Sequence, residues 1–252
     1  MARTIVVTGG SGAIGALLVE RFLQLGDRVF VTTARPESLE SLRERVPGGH
    51  EDLTGISCDL GEVGSISSVV GALPDDTTDS VVLINNARSR RSLRADSEGV
   101  VARSDFMQEY LLDVIVPYEL TIAMSKRFGP QLTAVVNVGS QYGCVVSNPT
   151  LYQPGQQPGF VHYNVAKAAL HHLTRELAVR LSQQGTRVNA VAYGGLEGRV
   201  DPAFLERYAV MVPSGRMLTP ADIPGPAVFL ASEEASGVNG HVLAADGGWT
   251  VW

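Results

Sequence analysis

The chain has 252 residues, a formal net charge of −6, 44% hydrophobic residues and 18% charged residues. This composition is typical of a folded globular protein and excludes a disordered chain. The length favours one large α/β domain spanning residues 1–252. An acidic chain lacks the basic stripe that binds phosphate backbones, so nucleic acid is not an expected partner.

The two cysteines, Cys58 and Cys144, form neither a CxxC pair nor a zinc-ligand spacing. No His, Asp or Glu cluster has metal-ligand spacing, so we expect no metal. Met1 to Arg3 run directly into a predicted strand without a signal peptide, and no uncharged apolar run reaches transmembrane length. We therefore expect a cytoplasmic protein that acts on a small molecule and not at a membrane.

Short β-rich runs alternate with longer helical stretches along the chain. The predicted strands are Thr4–Val7, Val29–Val31, a third ending near Ser57-Cys58, Val81–Ile84, Ala134–Val138, Val188–Val191 and one near His241–Ala244. The predicted helices are Ala13–Leu25, Ser38–Arg45, Asp105–Phe128, Tyr163–Gln183, Pro202–Met211 and Pro220–Ala231. Pro117 should kink or break the third helix. The alternation predicts a Rossmann-type, doubly wound parallel β-sheet of about seven strands with helices on both faces, and a ligand beyond the carboxyl ends of the strands.

A glycine-rich loop, Thr8–Gly15, lies between the first strand and the first helix. Glycine permits positive φ and close approach of a pyrophosphate, and the helix N-terminus offers free N–H groups. A lone GxGxxG is weak evidence, but this one has the required strand–turn–helix context. A tight turn without a ligand is the alternative. The loop predicts dinucleotide binding by Gly9, Ser11, Gly12, Ala13, Ile14 and Gly15.

The end of the second strand bears on which dinucleotide is bound. It reads Thr32-Thr33-Ala34-Arg35, and the first acid, Glu37, comes late. NAD-binding enzymes usually place an acid here for the ribose hydroxyls, whereas an arginine accommodates a 2′-phosphate. The pattern favours NADP(H) over NAD(H), with Thr33 and Arg35 as contacts, although Arg35 is equally compatible with a solvated loop charge.

Tyr163 and Lys167 lie one helical turn apart on the same helix face. A phenol is a poor base at neutral pH, and a nearby cation favours its ionised form. Ser140 follows strand five, where its hydroxyl could hold a substrate oxygen while Tyr163 transfers a proton and the cofactor exchanges hydride. YxxxK alone is a weak pattern, but its order after the glycine loop and the serine is specific.

These segments together resemble the short-chain dehydrogenase/reductase family, in its single-domain branch, over essentially the whole chain. The matching pieces are Thr8–Gly15, Cys58-Asp59-Leu60, Asn85-Asn86-Ala87, Ser140, Tyr163–Lys167, Val188–Val191 and Asp246-Gly247-Gly248. The resemblance implies a homotetramer or homodimer. It also implies that Asp59 and Leu60 flank the adenine and that the remaining cofactor contacts are Asn86, Ala87, Tyr163, Lys167, Gly194 and Leu196. We expect Trp249 and Trp252 to be buried against a neighbouring subunit.

Several residues depart from the family pattern. Arg88 replaces the Gly after Asn-Asn-Ala, and Tyr193 stands where a Pro is usual. Asp113 aligns with the Asn that helps complete a proton relay, so we include it among the catalytic residues. These three departures motivate an alternative hypothesis, a non-redox enzyme (a lyase, an epimerase or a dehalogenase-like enzyme) on the same scaffold. A cofactor-binding sensor is a third hypothesis, which a missing Tyr or Lys would have favoured.

Residues 141–162 separate Ser140 from Tyr163, a longer segment than the family usually has. Together with Val212–Met217 and Gly248–Trp252, this insertion resembles the subgroup associated with flagellin modification and sialic-acid-like sugar synthesis. The resemblance implies a polar, sugar-like or anionic substrate in a biosynthetic pathway. The candidate substrate contacts are Arg88, Tyr142 and Tyr152.

Overall fold

The structure, a computed structural model, describes residues 2–46, 51–75, 80–89, 91–152, 160–198 and 200–252. Its strands are β1 (Thr4–Val7), β2 (Arg28–Thr33), β3 (Leu53–Ser57), β4 (Val81–Asn85), β5 (Leu132–Ser140), β6 (Arg187–Tyr193) and β7 (Val242–Ala245). They form a seven-stranded sheet in the order β3-β2-β1-β4-β5-β6-β7, with every neighbouring pair parallel. The predicted doubly wound parallel sheet is confirmed.

The helices are α1 (Ala13–Gln24), α2 (Pro36–Arg45), α3 (Ser65–Gly71), α4 (Arg103–Tyr110), α5 (Val116–Phe128), α6 (Val161–Leu181), α7 (Pro202–Met211) and α8 (Pro224–Ala231). α3 was not predicted, because its seven residues are mainly serine and β-branched residues that favour helices weakly. The last predicted helix begins as a separate 3₁₀ turn, Pro220–Asp222. Within the described ranges, no helix is both long and apolar enough to cross a bilayer.

The side chains of alternate strand residues pack into two hydrophobic cores, one on each face of the sheet. In β1, Ile5 and Val7 pack with α1 and α8, whereas Val6 packs with α3, α5 and α6. All three side chains are fully buried. Burial on both faces explains why this strand is a continuous apolar run and does not alternate with polar residues.

The long helix predicted around Pro117 does change character there. A π-helical turn, Leu111–Ile115, joins α4 to α5, and Pro117 lies in the first turn of α5. A proline cannot donate the helical hydrogen bond that an N–H at this position would make, and the helix is irregular here, with the π-helical turn just before Pro117. The chain nevertheless continues as a helix, and Asp113 lies within the irregular turn.

β1 and β4 are neighbours in the sheet although β2 and β3 follow β1 along the chain. This pair is the topological switch point, where the loops that follow the two strands diverge and leave a crevice. The glycine-rich loop follows β1, and Asn86 and Ala87 follow β4. The fold therefore brings two of the predicted cofactor segments to one edge.

Candidate active site

Hydrogen bonds and close packing join the loops that follow β1 and β4. The Asn86 side-chain amide donates to the carbonyl oxygens of Thr8 (2.9 Å) and Gly9 (3.1 Å). The Thr8 hydroxyl accepts from the backbone N–H groups of Asn86 and Ala87, both at 2.9 Å. Gly9 has φ +61°, and a Cβ there would lie 2.8 Å from the Cα of Ala87. Only glycine fits at this position.

The N-terminus of α1 is shaped to accept an anion. Gly12 is the N-cap residue and forms no side-chain cap, and the first turn, which includes Ala13 and Ile14, contains no acidic residue. A Cβ on Gly15 would lie 2.5 Å from the carbonyl oxygen of Gly9, so the loop lies flat against the helix. Free N–H groups and the positive end of the helix dipole suit a pyrophosphate. These residues fit a dinucleotide.

The end of β2 is joined to the glycine-rich loop through hydroxyl groups. The hydroxyls of Ser11 and Thr33 are 3.1 Å apart, and the Arg35 backbone N–H donates to the Thr33 hydroxyl at 3.3 Å. The Arg35 side chain is exposed. Thr33 therefore links the end of β2 to the glycine-rich loop, and the Arg35 side chain next to it faces solvent.

Asp59 and Leu60 follow β3, the strand beside β2. Leu60 is buried, and the Asp59 carboxylate accepts a hydrogen bond from the backbone N–H of Gly61 at 2.9 Å. The carboxylate therefore fixes a turn at the same edge of the sheet as the glycine-rich loop.

The predicted catalytic residues meet where β5 ends against α6. Ser140 is the last residue of β5, and its hydroxyl accepts from the Tyr142 backbone N–H at 3.2 Å. Tyr163 lies in the first turn of α6, with the Lys167 ammonium 5.7 Å from its ring centroid. The same ammonium donates to the Val138 carbonyl oxygen at 2.9 Å. Lys167 thus links Tyr163 to the strand that carries Ser140.

Asp113 forms a buried ion pair with Lys167. The Lys167 ammonium donates to the Asp113 carboxylate at 3.0 Å, and the two side chains are 6% and 2% exposed. A buried charge requires such a partner, because desolvation otherwise disfavours it strongly. The structure therefore places Asp113 in contact with the predicted catalytic lysine.

Sequence reasoning missed Glu109, which lies one turn before Asp113. It is 2% exposed, the Ser92 hydroxyl donates to its Oε2 at 2.5 Å, and its Oε1 lies 3.6 Å from an Arg88 guanidinium nitrogen. Burial raises the pKa of the Glu109 carboxyl. The Arg88 guanidinium carbon lies 4.3 Å from the Tyr163 ring centroid. The sequence carries no signal for this contact, because Arg88 and Glu109 belong to different segments of the chain.

The two candidate substrate tyrosines are brought together. Tyr142 and Tyr152 are hydrogen-bonded to each other, and burial raises the pKa of both phenols. Tyr152 also packs edge-to-face against Phe204 of α7, with ring centroids 5.8 Å apart. Residues 153–159 of the insertion lie outside the described residues. Both phenols are therefore neutral hydrogen-bonding groups on the α7 side of the site.

Tyr193 does not face the site. Its side chain is buried in the core on the α8 side of the sheet, and its hydroxyl donates to the Ile223 carbonyl oxygen at 2.5 Å. Burial raises its pKa. Tyr193 is therefore a structural residue, and the motivation that it gave for non-redox chemistry is removed.

The loop after β6 is held by an aromatic pair. The Tyr208 hydroxyl accepts from the Gly195 N–H and donates to the Gln141 side chain, both at 3.0 Å. Trp249 stacks on Tyr208 with ring centroids 4.6 Å apart and is 6% exposed. The expectation that Trp249 needs a neighbouring subunit for burial is wrong, because the chain itself buries it. Trp252 is 77% exposed.

Gly194 and Leu196 flank Gly195 and are fixed by the backbone. The Gly194 N–H donates to the Ala245 carbonyl oxygen at 3.0 Å, and Leu196 forms a parallel bridge with Leu218. Both lie immediately after β6, at the edge of the sheet that also carries Ser140.

Neither cysteine offers a reactive thiol. Cys58 and Cys144 are both free, and burial raises the pKa of each thiol. A thiol with a raised pKa is mostly protonated at neutral pH and is a weak nucleophile. Across the part of the chain that the structure describes, no group of three His, Cys, Asp or Glu side chains could hold a metal ion.

Comparison with known proteins gives consistent matches. A family model described as enoyl-(acyl carrier protein) reductase matches residues 10–250. A galactitol 2-dehydrogenase of Rhizobium johnstonii is 31% identical, over 98% of this chain and 95% of its own. The NADP active-site complex of Pseudomonas aeruginosa RhlG is 26% identical with a TM-score of 0.85, over 99% of this chain and 97% of its own. A Leptospira borgpetersenii short chain dehydrogenase with bound NAD+ shares the fold at 24% identity, with a TM-score of 0.84 over 99% and 93% of the two chains.

Proposed function

The chain belongs to the short-chain dehydrogenase/reductase family, and on that premise we propose that it interconverts a carbonyl and a secondary alcohol on a polar, sugar-like small molecule, with NADP(H) as the preferred cofactor. The observation that carries the proposal is the placement of Tyr163 and Lys167 beside the end of β5, next to a crevice that fits a dinucleotide.

Tyr163 is the proton donor in the reducing direction. Its hydroxyl gives a proton to the substrate oxygen while the Ser140 hydroxyl donates a hydrogen bond to the same oxygen. In the oxidising direction the phenolate takes the proton back. A nicotinamide cofactor, when bound, supplies or accepts the hydride.

Lys167 stabilises the ionised form of Tyr163. Its ammonium is held in one orientation by the Val138 carbonyl oxygen and the Asp113 carboxylate, so little reorganisation accompanies proton transfer. Asp113 contacts the lysine, and its part in the reaction is to position that charge.

The cofactor preference rests on the end of β2. The hydroxyl of Thr33 and the exposed guanidinium of Arg35 lie where an NAD-specific site would place a carboxylate. Gly9, Ser11, Gly12, Ala13, Ile14 and Gly15 would hold the pyrophosphate. Around them, Asp59, Leu60, Asn86, Ala87, Gly194 and Leu196 would line the rest of the cofactor.

The cofactor preference is tested by fluorescence titration with NADPH and NADH. We expect wild type to bind NADPH more tightly, and Arg35→Ala to weaken NADPH binding by about tenfold, the loss of one charge-assisted phosphate contact. NADH affinity should stay the same. A wild-type preference for NADH, or an equal loss for both, would contradict the assignment.

The proposal of a polar, sugar-like substrate is supported by the polar side chains near Ser140 and Tyr163 and by the similarity to a galactitol 2-dehydrogenase. Arg88, Tyr142 and Tyr152 offer a cation and two neutral phenols beside the reacting groups. The proposal includes a biosynthetic role for the enzyme. It also includes assembly as a homodimer or homotetramer, which light scattering would measure.

The central experiment is a hydride-transfer assay with a panel of polyols, keto-sugars, sugar acids and cyclic ketones. Tyr163→Phe should lower kcat by about a hundredfold or more and change NADPH binding far less, because phenylalanine keeps the ring and lacks only the proton-donating hydroxyl. Full turnover in that variant would end the proposal. A confirmed substrate conversion without change in nicotinamide absorbance would instead favour the non-redox alternative. Arg88 and Asp113 do not by themselves support that alternative, because they contact Tyr163 and Lys167, the residues proposed to catalyse redox chemistry.

A further inference from the structure

Tyr163 has a second cation against its ring. The Arg88 guanidinium carbon is 4.3 Å from the ring centroid, closer than the Lys167 ammonium at 5.7 Å. A cation over an aromatic face is attracted by the ring's electrons. This attraction strengthens when the phenol ionises, because the negative charge spreads from the oxygen into the ring.

The Arg88 guanidinium is held by a buried carboxylate. Glu109 is 2% exposed and lies 3.6 Å from it, whereas the Arg88 side chain is 30% exposed. The Ser92 hydroxyl fixes Glu109 at 2.5 Å, and the Ser92 carbonyl oxygen is in turn hydrogen-bonded to the His162 imidazole at 2.8 Å. Ser92 therefore fixes the Glu109 carboxylate beside the guanidinium.

The two cations around Tyr163 are therefore built alike. Lys167 is paired with Asp113, and Arg88 is paired with Glu109 one turn earlier on the same helical segment. Both carboxylates are almost completely buried; Asp113 accepts a hydrogen bond from Lys167 at 3.0 Å, and Glu109 lies 3.6 Å from Arg88. This arrangement holds positive charge at the ring without requiring a ligand.

We propose that Arg88 is a second activating group for Tyr163 and that Glu109 is the positioning residue for Arg88. The inference rests on the proposed role of Tyr163. When the Tyr163 O–H bond breaks, the proton moves to the substrate oxygen, and the electron pair stays on a phenolate whose ring lies against the guanidinium. The reverse step returns the proton. No reactant is needed beyond those of the proposed function.

The charged groups that act on this network define its pH behaviour. Glu109 is surrounded by Arg88 from the segment after β4, by Asp113 on its own helical segment and by Lys167 on α6. Burial raises the pKa of Glu109, and the two cations oppose that change. The two cations that lie against the Tyr163 ring therefore also favour the charged form of Glu109.

The first test does not depend on turnover. Ultraviolet difference titration of each protein, with the matching Tyr163→Phe variant subtracted, isolates the ionisation of this phenol. We expect Arg88→Met to move its midpoint upward by about one pH unit, a tenfold change on the order of a partly screened Coulomb attraction between a guanidinium and a phenolate. Arg88→Lys, which keeps charge but loses the planar stack, should move it less.

Glu109→Gln removes the carboxylate beside the guanidinium, so adding Arg88→Met to the Glu109→Gln variant should move the midpoint by less than Arg88→Met does in the wild-type protein. Asp105→Asn is the matched control, since Asp105 lies one turn earlier, is buried and pairs with Arg94 at 2.7 Å. It should leave the midpoint unchanged. Circular dichroism and unfolding midpoints verify that each variant folds. If Arg88→Met does not fold, the conservative Arg88→Lys variant still provides the test.

The second test is the pH profile of kcat for alcohol oxidation, which should shift in parallel with the titration while the KM of a neutral polyol changes less than about twofold. An unshifted phenol in Arg88→Met, with a raised KM confined to anionic substrates, would show instead that Arg88 is a substrate ligand. The proposed function fails separately, through full turnover in Tyr163→Phe.

Discussion

The buried pair between Lys167 and Asp113 allows the cost of an unpaired charge at the site to be measured. Asp113→Leu removes the carboxylate and leaves an ammonium that is 6% exposed and retains the Val138 carbonyl oxygen as an acceptor. Lys167→Met leaves the opposite charge in a side chain that is 2% exposed. Each single substitution should lower the free energy of unfolding by about 3–5 kcal/mol.

The double variant should recover most of that loss. With both charges removed, two apolar side chains of similar size replace a desolvated pair, and the net cost should be within about 2 kcal/mol of wild type. Glu20→Gln is the control, because the Glu20–Arg45 pair (3.2 Å) is on the surface with side chains 25% and 51% exposed. It should cost less than about 1 kcal/mol.

Urea unfolding at one fixed protein concentration measures all four variants, since association would otherwise shift the apparent stability. We expect strong energetic coupling between positions 113 and 167. Single substitutions that each cost under about 1 kcal/mol and add independently would refute it, and would mean that water reaches the pair.

Three further predictions follow from burial, backbone conformation and hydrogen bonding. Burial lowers the pKa of His171 to about 4, below its ordinary value of 6.5 in the unfolded chain, so the unfolded chain takes up this proton first. The contribution of His171 to the free energy of unfolding should be constant above about pH 6.5 and fall by roughly 3 kcal/mol as the pH decreases to 4. His171→Gln should flatten this slope in urea titrations, and an unchanged slope would contradict the assignment. Gly9→Ala should weaken NADPH binding about tenfold or more, because φ at Gly9 is +61° and the new Cβ would collide with the backbone of Ala87. Gly71→Ala is the control and should leave NADPH binding unchanged, because its new Cβ would point into open space. Tyr208→Phe leaves the Gly195 N–H without its acceptor and should lower the free energy of unfolding by about 1–3 kcal/mol. The same substitution should weaken NADPH binding. An unchanged dissociation constant for NADPH would mean that the loop after β6 does not contact the cofactor.

The fold could be predicted because its signals are local. Continuous apolar runs such as Thr4–Val7 indicate a strand that is buried on both faces of a sheet, and the glycines that follow this run indicate a turn. α3 has no such signal, since Val69 becomes a core residue only through contacts with distant helices. Pro117 was correctly identified as an irregularity, but its form as a π turn depends on how the flanking segments pack.

The site could be predicted only in part for a related reason. Tyr163 and Lys167 are four residues apart, so helix geometry alone places them on one face. Glu109 is one of several acids on its segment, and nothing in its local sequence indicates that it meets Arg88 from another element. The burial of Trp249 by Tyr208 is likewise a contact between distant segments.

The π turn at residues 111–115 contains one more residue than a regular α-helical turn would need, which changes the rotational phase of everything after it. Deleting a single residue there would rotate α5 by about 100° relative to α4. Leu120 and Met124, now fully buried against the sheet, would then face away from it, or Asp113 would face away from Lys167. The extra residue thus allows one helical segment both to pack Leu120 and Met124 into the hydrophobic core and to pair Asp113 with Lys167, the lysine proposed to be catalytic.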